Sequence, residues 1–383
     1  MLSEIIKKTK AYFCLDCGKC TALCPVTRYN KSYSPRKLVI KTVNSPDGNT
    51  LKDERLWSCL TCMMCQERCP SGIDYIEFTK LMRKDAKNLG FFGEPTHGGI
   101  FESLWKIMTA PKLNQNRLDW LTPDLKISDN SEYLYFVGCL PYFDQFFSDL
   151  KTDSIKIAQS VVKILNFFGV EPKILKNERC CGHDLLWTGD FENFKTLAEQ
   201  NIKLLKDSNV KYVITSCPEC LTTFKLDYPE VFGNLDLKFL HITEFISEKL
   251  SSNKYELKRV NKKVTYQDPC RLGRYLGIYQ KPREVITSIP GIEFTEMERS
   301  GRNSVCCGTS CWTNCDRYSK LLQIDRLKEA KSTGAELLLT ACPKCQIHFS
   351  CAQKDENYPE EGKIEIVDLT TLFAEAILKQ SVA

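Results

Sequence analysis

The sequence DPC at 268–270, followed by VCCG at 305–308 and TACPKC at 340–345, gathers five cysteines from three separated segments. Thirty-five residues separate Cys270 from the adjacent pair Cys306 and Cys307, and thirty-four separate that pair from Cys342. The same grammar occurs upstream as VGC at 137–139, RCCG at 179–182 and TSCPEC at 215–220. The copies are offset by 125 residues, measured from Cys217 to Cys342, and a fixed internal offset marks duplicated architecture. TSCPECLTTF also aligns with TACPKCQIHF through its phenylalanine. Two homologous cysteine-rich modules are therefore expected.

The residues between these cysteines alternate in character. YLYFVG is a short apolar run leading to Cys139, SIKIAQSVVKILNFFG reads as a helix stopped by Gly169, and FENFKTLAEQNIKLLKDS as a second helix before the strand VKYVIT. The second copy repeats the order with KVTYQ, a helix around KPREVITSI, the strand IEFTEM, the helix RYSKLLQIDRLKEAKS and the strand AELLLT. LTTLFAEAILKQ supplies a closing helix. Alternation of this kind predicts parallel, Rossmann-like α/β sheets covered by helices, with sites beyond the carboxyl ends of the strands.

Each module offers more thiols than one zinc ion accepts. The first holds Cys139, Cys180, Cys181, Cys217 and Cys220, and the second Cys270, Cys306, Cys307, Cys342 and Cys345. Zinc takes four ligands in a tetrahedron, and CxxC is its common half-site. Two adjacent cysteines suit a multi-iron sulfide core better, since soft thiolates select zinc or iron–sulfur sites. Spacing alone leaves a zinc-rich scaffold as the competing reading. Gly182, after the first vicinal pair, removes a side chain where the backbone must turn close to a metal group.

The amino-terminal segment carries AYFCLDCGKCTALCPVTRYN at 11–30 and WSCLTCMMCQERCPSGIDY at 57–75. Both contain CxxCxxCxxxCP, the ferredoxin run in which the fourth cysteine binds the opposite cluster. One cubane cluster would use Cys14, Cys17, Cys20 and Cys69, and the other Cys59, Cys62, Cys65 and Cys24. YSPRKLVIKTV, between the two runs, reads as helical. The expected architecture is α+β overall: a helical two-cluster ferredoxin-type domain at 1–90, a connecting segment at 91–130, and the two modules at 131–255 and 256–383.

The paired C…CCG…CxxC pattern resembles the CCG-domain iron–sulfur proteins, above all the catalytic subunit of heterodisulfide reductase in its fused form. It is also similar to iron–sulfur subunits of anaerobic glycerol-3-phosphate and glycolate dehydrogenases. The resemblance covers residues 131 to 383, and the amino-terminal runs resemble the ferredoxin module of succinate dehydrogenase and of the small heterodisulfide reductase subunit. It implies a noncubane 4Fe-4S cluster in each CCG module, held by its five cysteines. It implies further that a disulfide such as CoM-S-S-CoB is reduced between them, with Cys180, Cys181, Cys306 and Cys307 at the chemistry. The alternative implied by the other relatives is an electron-transfer subunit of a flavoprotein dehydrogenase complex. The chain departs from these relatives where GTSCWTNC at 308–315 replaces a glycine-rich run, and where Gln267 and Arg271 replace histidines around DPC.

Composition narrows the function classes. Apolar content is ordinary, and the longest apolar runs fall short of the ~20 residues a spanning helix needs. Twenty-one cysteines at metal-type spacings, with no secretory signal after MLSEIIKKTK, indicate a reducing cytoplasm, with membrane association only through a partner. A formal charge of +5 omits cluster-bound thiolates and is poor evidence for nucleic-acid binding. No GxGxxG follows a strand, so flavin and nicotinamide belong to a partner: a flavin-bearing donor subunit or a membrane cytochrome.

The remaining candidates carry two readings each. Arg271 and Arg274, with Lys281, Arg283, Arg299 and Arg302, form either an anion-binding mouth for the substrate or a solvated basic face. His183, Asp184 and His348 offer proton transfer or packing. Cys311, Cys315 and Cys351 lie outside the eighteen assigned cysteines: Cys351 reads as a small buried residue, and Cys311 and Cys315 add a redox or ligand reading beside the second cluster. His97 reads as a surface or packing residue, and Trp312 as core rather than pocket wall.

Overall fold

The computed structural model describes residues 2–46, 48–152, 154–356 and 358–377. Two compact units are formed, one from Met1–Ala110, Gly182–Leu197 and Val305–Gln323, the other from Pro111–Cys181, Ala198–Ser304 and Ile324–Ala383. The units cut across chain order, because the segments after each vicinal cysteine pair belong with the amino-terminal module.

The first unit is helical. Pro35–Asn44 begins with Pro35 at its first position, where no amide hydrogen is needed, and the Ser34 hydroxyl accepts from the Lys37 amide. Tyr75–Asn88 is capped in the same way by Asp74, which accepts from the Glu77 amide. The second of these helices carries Arg83, fully buried, whose guanidinium donates to the carbonyls of Leu56, Cys59 and Trp187 at 2.8–3.1 Å. A buried guanidinium is tolerated only when its donors are met, and here one side chain ties its helix to two other segments, the turn Leu56–Cys59 and the end of the helix His183–Trp187. Trp312 stacks on Phe101 with ring centroids 4.1 Å apart, and His97 stands edge-on to both rings.

The second unit contains two parallel sheets. The first has order β1 (Tyr133–Phe136), β2 (Tyr212–Thr215), β3 (Lys238–His241), pairing Phe136 with Thr215 and Thr215 with His241. The second uses β4 (Lys262–Gln267), β5 (Ile292–Phe294), β6 (Leu337–Thr340) and β7 (Glu365–Asp368) in the order β5-β4-β6-β7. Gln267 pairs with Thr340, and Thr340 with Asp368. The helix Ser154–Phe167 ends before Gly169, which turns the chain at φ 78°. It packs against Leu369–Ala376 and donates from Lys163 Nζ to the Ala374 carbonyl at 2.8 Å. Residues 378–380 of the expected closing helix lie outside the described residues.

The α+β architecture and the two parallel sheets agree with the sequence expectation. Strands β3 and β7 escaped it: KFLH and EIVD each hold only two apolar residues between polar ones, too few to read as an apolar run. Among the described residues no helix is long and apolar enough to cross a membrane.

Both glycines of the CCG motifs occupy the left-handed region, Gly182 at φ 84° and Gly308 at φ 88°. A Cβ at Gly182 would meet Phe194 Cδ2 at 2.8 Å, and one at Gly308 the Ser319 carbonyl oxygen at 2.9 Å. Conformation and space both require glycine. Gly308→Ala should cost at least ~2 kcal/mol from left-handed strain plus the backbone clash. The expected readout is a thermal midpoint several degrees below wild type, with Gly301→Ala, where nothing lies within 4 Å, clearly milder.

Candidate metal centres

In the first unit the eight ferredoxin-type cysteines fall into two groups that exchange their last members. Cys14, Cys17, Cys20 and Cys69 line one cavity, and Cys65 of the other group also reaches its wall. Burial raises the Cys20 thiol, and Cys14 and Cys69 add to the rise. Burial pushes the Cys24 thiol up to about 12, helped by Cys62 and Cys59, and Cys65 is raised by burial and then by Cys59, Cys24 and Cys62. Thiols crowded in this way repel one another as anions, and iron relieves that repulsion. The donor chemistry and the thiol-lined cavity fit iron–sulfur groups.

The backbone is shaped to wrap such groups. Gly18, φ 75°, leads into the short helix that carries Cys20, and Pro25 starts the helix directly after Cys24. Thr61 and Met63, both with positive φ, fold the CLTCMMC segment, and the Thr61 amide donates to Cys59 Sγ at 3.3 Å. Left-handed non-glycine residues cost roughly 1–3 kcal/mol each and cluster at functional sites.

In the second unit Cys139 lies just beyond the carboxyl end of β1, and Cys217 just beyond that of β2. The Cys181 thiol bonds with Cys180 and Cys220, and Cys220 also with Cys217, so four thiols of the first set meet in one place. Gly138 approaches so closely that a Cβ there would stand 3.3 Å from Cys220 Sγ. The vicinal pair is held from behind: Asn201 Nδ2 donates to the Cys180 carbonyl at 2.9 Å, and the Tyr228 hydroxyl to the Cys181 carbonyl at 3.0 Å. Glu178, buried, accepts from the Val137 and Gly138 amides and pairs with Arg117 at 2.8 Å, fixing the turn before Cys139.

Of the second set, the free thiols of Cys342 and Cys345 lie within hydrogen-bonding reach of each other at the start of the helix Pro343–Gln353, and Cys270 precedes the turn Arg271–Tyr275. Cys306 and Cys307 belong to the first unit, where both are buried. The two CxxC loops of the second unit meet. Lys344, inside CPKC, pairs with Glu219, inside CPEC, at 2.6 Å with 7% and 13% of the side chains exposed. Cys342 lies within electrostatic reach of Cys217 and Glu219. Thr222 donates to the Arg271 carbonyl at 3.2 Å, and His241, fully buried at the end of β3, has its Nδ1 2.8 Å from the Thr243 hydroxyl.

The basic residues divide. Arg283 is bidentate to Asp268 at 2.8 and 2.9 Å and also pairs with Glu296; Arg299 pairs with Glu329 and Asp325, and Lys281 with Glu284. For these three, internal charge balance is favoured over an anion mouth. Arg271 is buried with its guanidinium 4.1 Å over the Tyr275 ring, and Arg274, also buried, donates to the Ser304 carbonyl at 2.7 Å. Trp312 is packed as expected, Cys311 is buried, Cys351 is half-buried and Cys315 is exposed.

Sequence reasoning missed Glu219, Lys344, Asn201, Tyr228, Arg117 and Glu178. The first two left a signal: opposite charges at the same position of a duplicated motif, CPEC against CPKC. The other four stand far in sequence from most of the cysteines they support.

Comparison with known proteins accords with this arrangement. A model of the cysteine-rich CCG domain matches residues 133–225 and 264–350, and a 4Fe-4S dicluster model matches residues 10–73. The chain is 30% identical over 398 aligned residues, covering 95% of this chain and 93% of the relative, to one subunit of the dihydromethanophenazine:CoB–CoM heterodisulfide reductase of Methanosarcina acetivorans. It is 27% identical to one subunit of the fumarate reductase (CoM/CoB) of Methanothermobacter marburgensis, over 93% of this chain and 71% of that protein. A hypothetical protein from Helicobacter pylori of known structure shares the fold, with TM-score 0.54 at 12% identity, covering 90% of this chain and 67% of that one.

Two outcomes follow from these contacts. An unfolded cysteine titrates near 9.0, whereas folded, cluster-free Cys24 stays protonated to about 12. Its stabilising effect is therefore complete below pH 9.0 and is lost as pH rises toward 12. Iron uptake must displace that proton, so apparent iron affinity at fixed sulfide should rise from about pH 7 to about pH 9, measured by competition with a chelator. Lys344→Met leaves a buried carboxylate uncompensated and should cost ~3–5 kcal/mol, most of it regained in Glu219→Gln/Lys344→Met, as read by thermal melts of the two variants against wild type.

Proposed function

Because this chain belongs to the CCG-domain iron–sulfur family, which includes a heterodisulfide reductase subunit, we propose that it is the disulfide-reducing subunit of a redox complex. It is an iron–sulfur oxidoreductase by homology. The observation that supports the finer reading is the buried Glu219–Lys344 pair, which brings the CxxC loops of the two modules together. Two thiol-rich loops joined in this way suit a substrate with two sulfurs, one for each module.

When bound, the clusters supply, one at a time, the two electrons that convert a disulfide such as CoM-S-S-CoB to two thiolates. Cys14, Cys17, Cys20 and Cys69 would hold one cubane 4Fe-4S cluster, and Cys59, Cys62, Cys65 and Cys24 the other. By their motifs, Cys139, Cys180, Cys181, Cys217 and Cys220 would hold one noncubane cluster, and Cys270, Cys306, Cys307, Cys342 and Cys345 a second. Asn201 and Tyr228 fix the carbonyls of Cys180 and Cys181, so the vicinal thiols keep one orientation while charge on them changes. Arg271 and Arg274, buried beside Cys270, supply fixed positive charge where thiolate products form. Electrons would come from a partner, either a flavin-bearing subunit or a membrane cytochrome.

A second reading is favoured by the GTSCWTNC segment, where the chain departs from the glycine-rich run of disulfide-reducing relatives. In it the protein conducts electrons for a flavoprotein dehydrogenase and has no substrate of its own. The deciding assay is anaerobic oxidation of reduced viologen by the iron-loaded protein with CoM-S-S-CoB and other disulfides. Disulfide-dependent turnover that falls at least ~100-fold in Cys181→Ser and in Cys306→Ser is expected. Viologen electrons taken up with no turnover on any disulfide would leave only the conduit.

A further inference from the structure

We propose that His183, Asp184 and Cys311 form an additional metal site, separate from the cysteine sets, that takes one divalent cation of the zinc class. His183 and Asp184 directly follow the first CCG motif, and Cys311 follows the second. All three belong to the first unit, where one ligand atom from each lies within 4.8 Å of the others. They are 1%, 5% and 1% exposed, respectively. A tetrahedral zinc ion with bonds of about 2.0–2.3 Å sets its ligand atoms roughly 3.4–3.7 Å apart, so the trio needs to close by only about 1 Å.

Charge supports the assignment. A carboxylate and a thiolate buried together carry two negative charges that burial opposes, and a dication cancels both. The mixed nitrogen, oxygen and sulfur set suits zinc, which accepts all three donor types and leaves the fourth position of its tetrahedron open.

The supporting shell is also in place. His183 Nδ1 lies 3.0 Å from Asp184 Oδ1, a contact that orients the imidazole. Ser310 Oγ lies 3.2 Å from Cys311 Sγ and is itself 2.9 Å from the Thr61 hydroxyl. The Thr61 amide donates to Cys59 Sγ, so the shell of the trio runs on to a cubane ligand.

Backbone strain points the same way. Cys311 and Trp312 are consecutive left-handed residues, φ 53° and 56°, a conformation that neither side chain favours. The Trp312–Phe101 stack and a hydrogen bond from the Thr96 hydroxyl to the Trp312 carbonyl hold it. Through this turn Cys311 is buried against the His–Asp pair, while Cys315, four residues on, is exposed. A cation here pins the two segments that follow the vicinal pairs, closing a loop of 126 residues between Asp184 and Cys311.

The test uses the whole iron-loaded protein, purified anaerobically from zinc-supplemented cells. Wild type should hold about one zinc per chain by mass spectrometry, with X-ray absorption showing one sulfur among nitrogen and oxygen neighbours. Zinc should fall at least about tenfold in Cys311→Ser and in Asp184→Asn, with iron and sulfide unchanged, and should remain in Cys315→Ser. Wild type with no more than a trace of zinc, zinc with four sulfur neighbours, zinc retained in Cys311→Ser, or iron lost in its place would each overturn the assignment. The wild-type spectrum decides the matter even if the variants fold poorly.

Discussion

The Glu219–Lys344 ion pair is the constraint on which the second unit turns. Both residues sit inside CxxC loops, both are largely buried, and the loops leave the carboxyl ends of two interior strands, β2 and β6. Parallel sheets place their sites at such ends, so the pair joins the two site-bearing edges to each other. A buried ion pair contributes little net stability compared with apolar packing, yet a lone buried charge is severely unfavourable. The pair therefore penalises arrangements in which the loops part or pair out of register. Thr222, at the end of the helix that opens with CPEC, adds a hydrogen bond to the Arg271 carbonyl.

The vicinal cysteines impose a second constraint. Two adjacent thiols pointing at one metal group force the backbone into a turn whose carbonyls face away from water, and those carbonyls need donors. Asn201 and Tyr228 meet that need in the first module. Gly182 and Gly308 let the chain leave the turn in a conformation that no other residue adopts cheaply. The first unit meets the same need at Cys59 with a guanidinium: Arg83 satisfies its carbonyl together with those of Leu56 and Trp187.

Much of the centre was legible because metal chemistry is local. CxxCxxCxxxCP is a ligand set and a turn at once, and the five-cysteine pattern occurs in full in both modules. The strands YLYF, YVIT, KKVTYQ and LLLT were legible as short apolar runs, and the helices as amphipathic stretches ended by glycine or a cap. β3 and β7 were not, since KFLH and EIVD each hold only two apolar residues between polar ones, too few to read as an apolar run. The basic residues of the second module were legible as a cluster but not as partners. Whether an arginine faces solvent, like an anion site, or a carboxylate, like Arg283 with Asp268, depends on atoms distant in sequence.

The sequence by itself determined the donor chemistry, the duplication and the fold class, because each rests on residue type and spacing within a few turns of chain. Only the tertiary structure decided which residues support the donors and which segments share a unit. Segments 182–197 and 305–323 join the ferredoxin module although more than seventy residues of chain separate them from it. Burial decides that membership: apolar and charged groups settle where their desolvation is best compensated, and that compensation comes from partners no local pattern names.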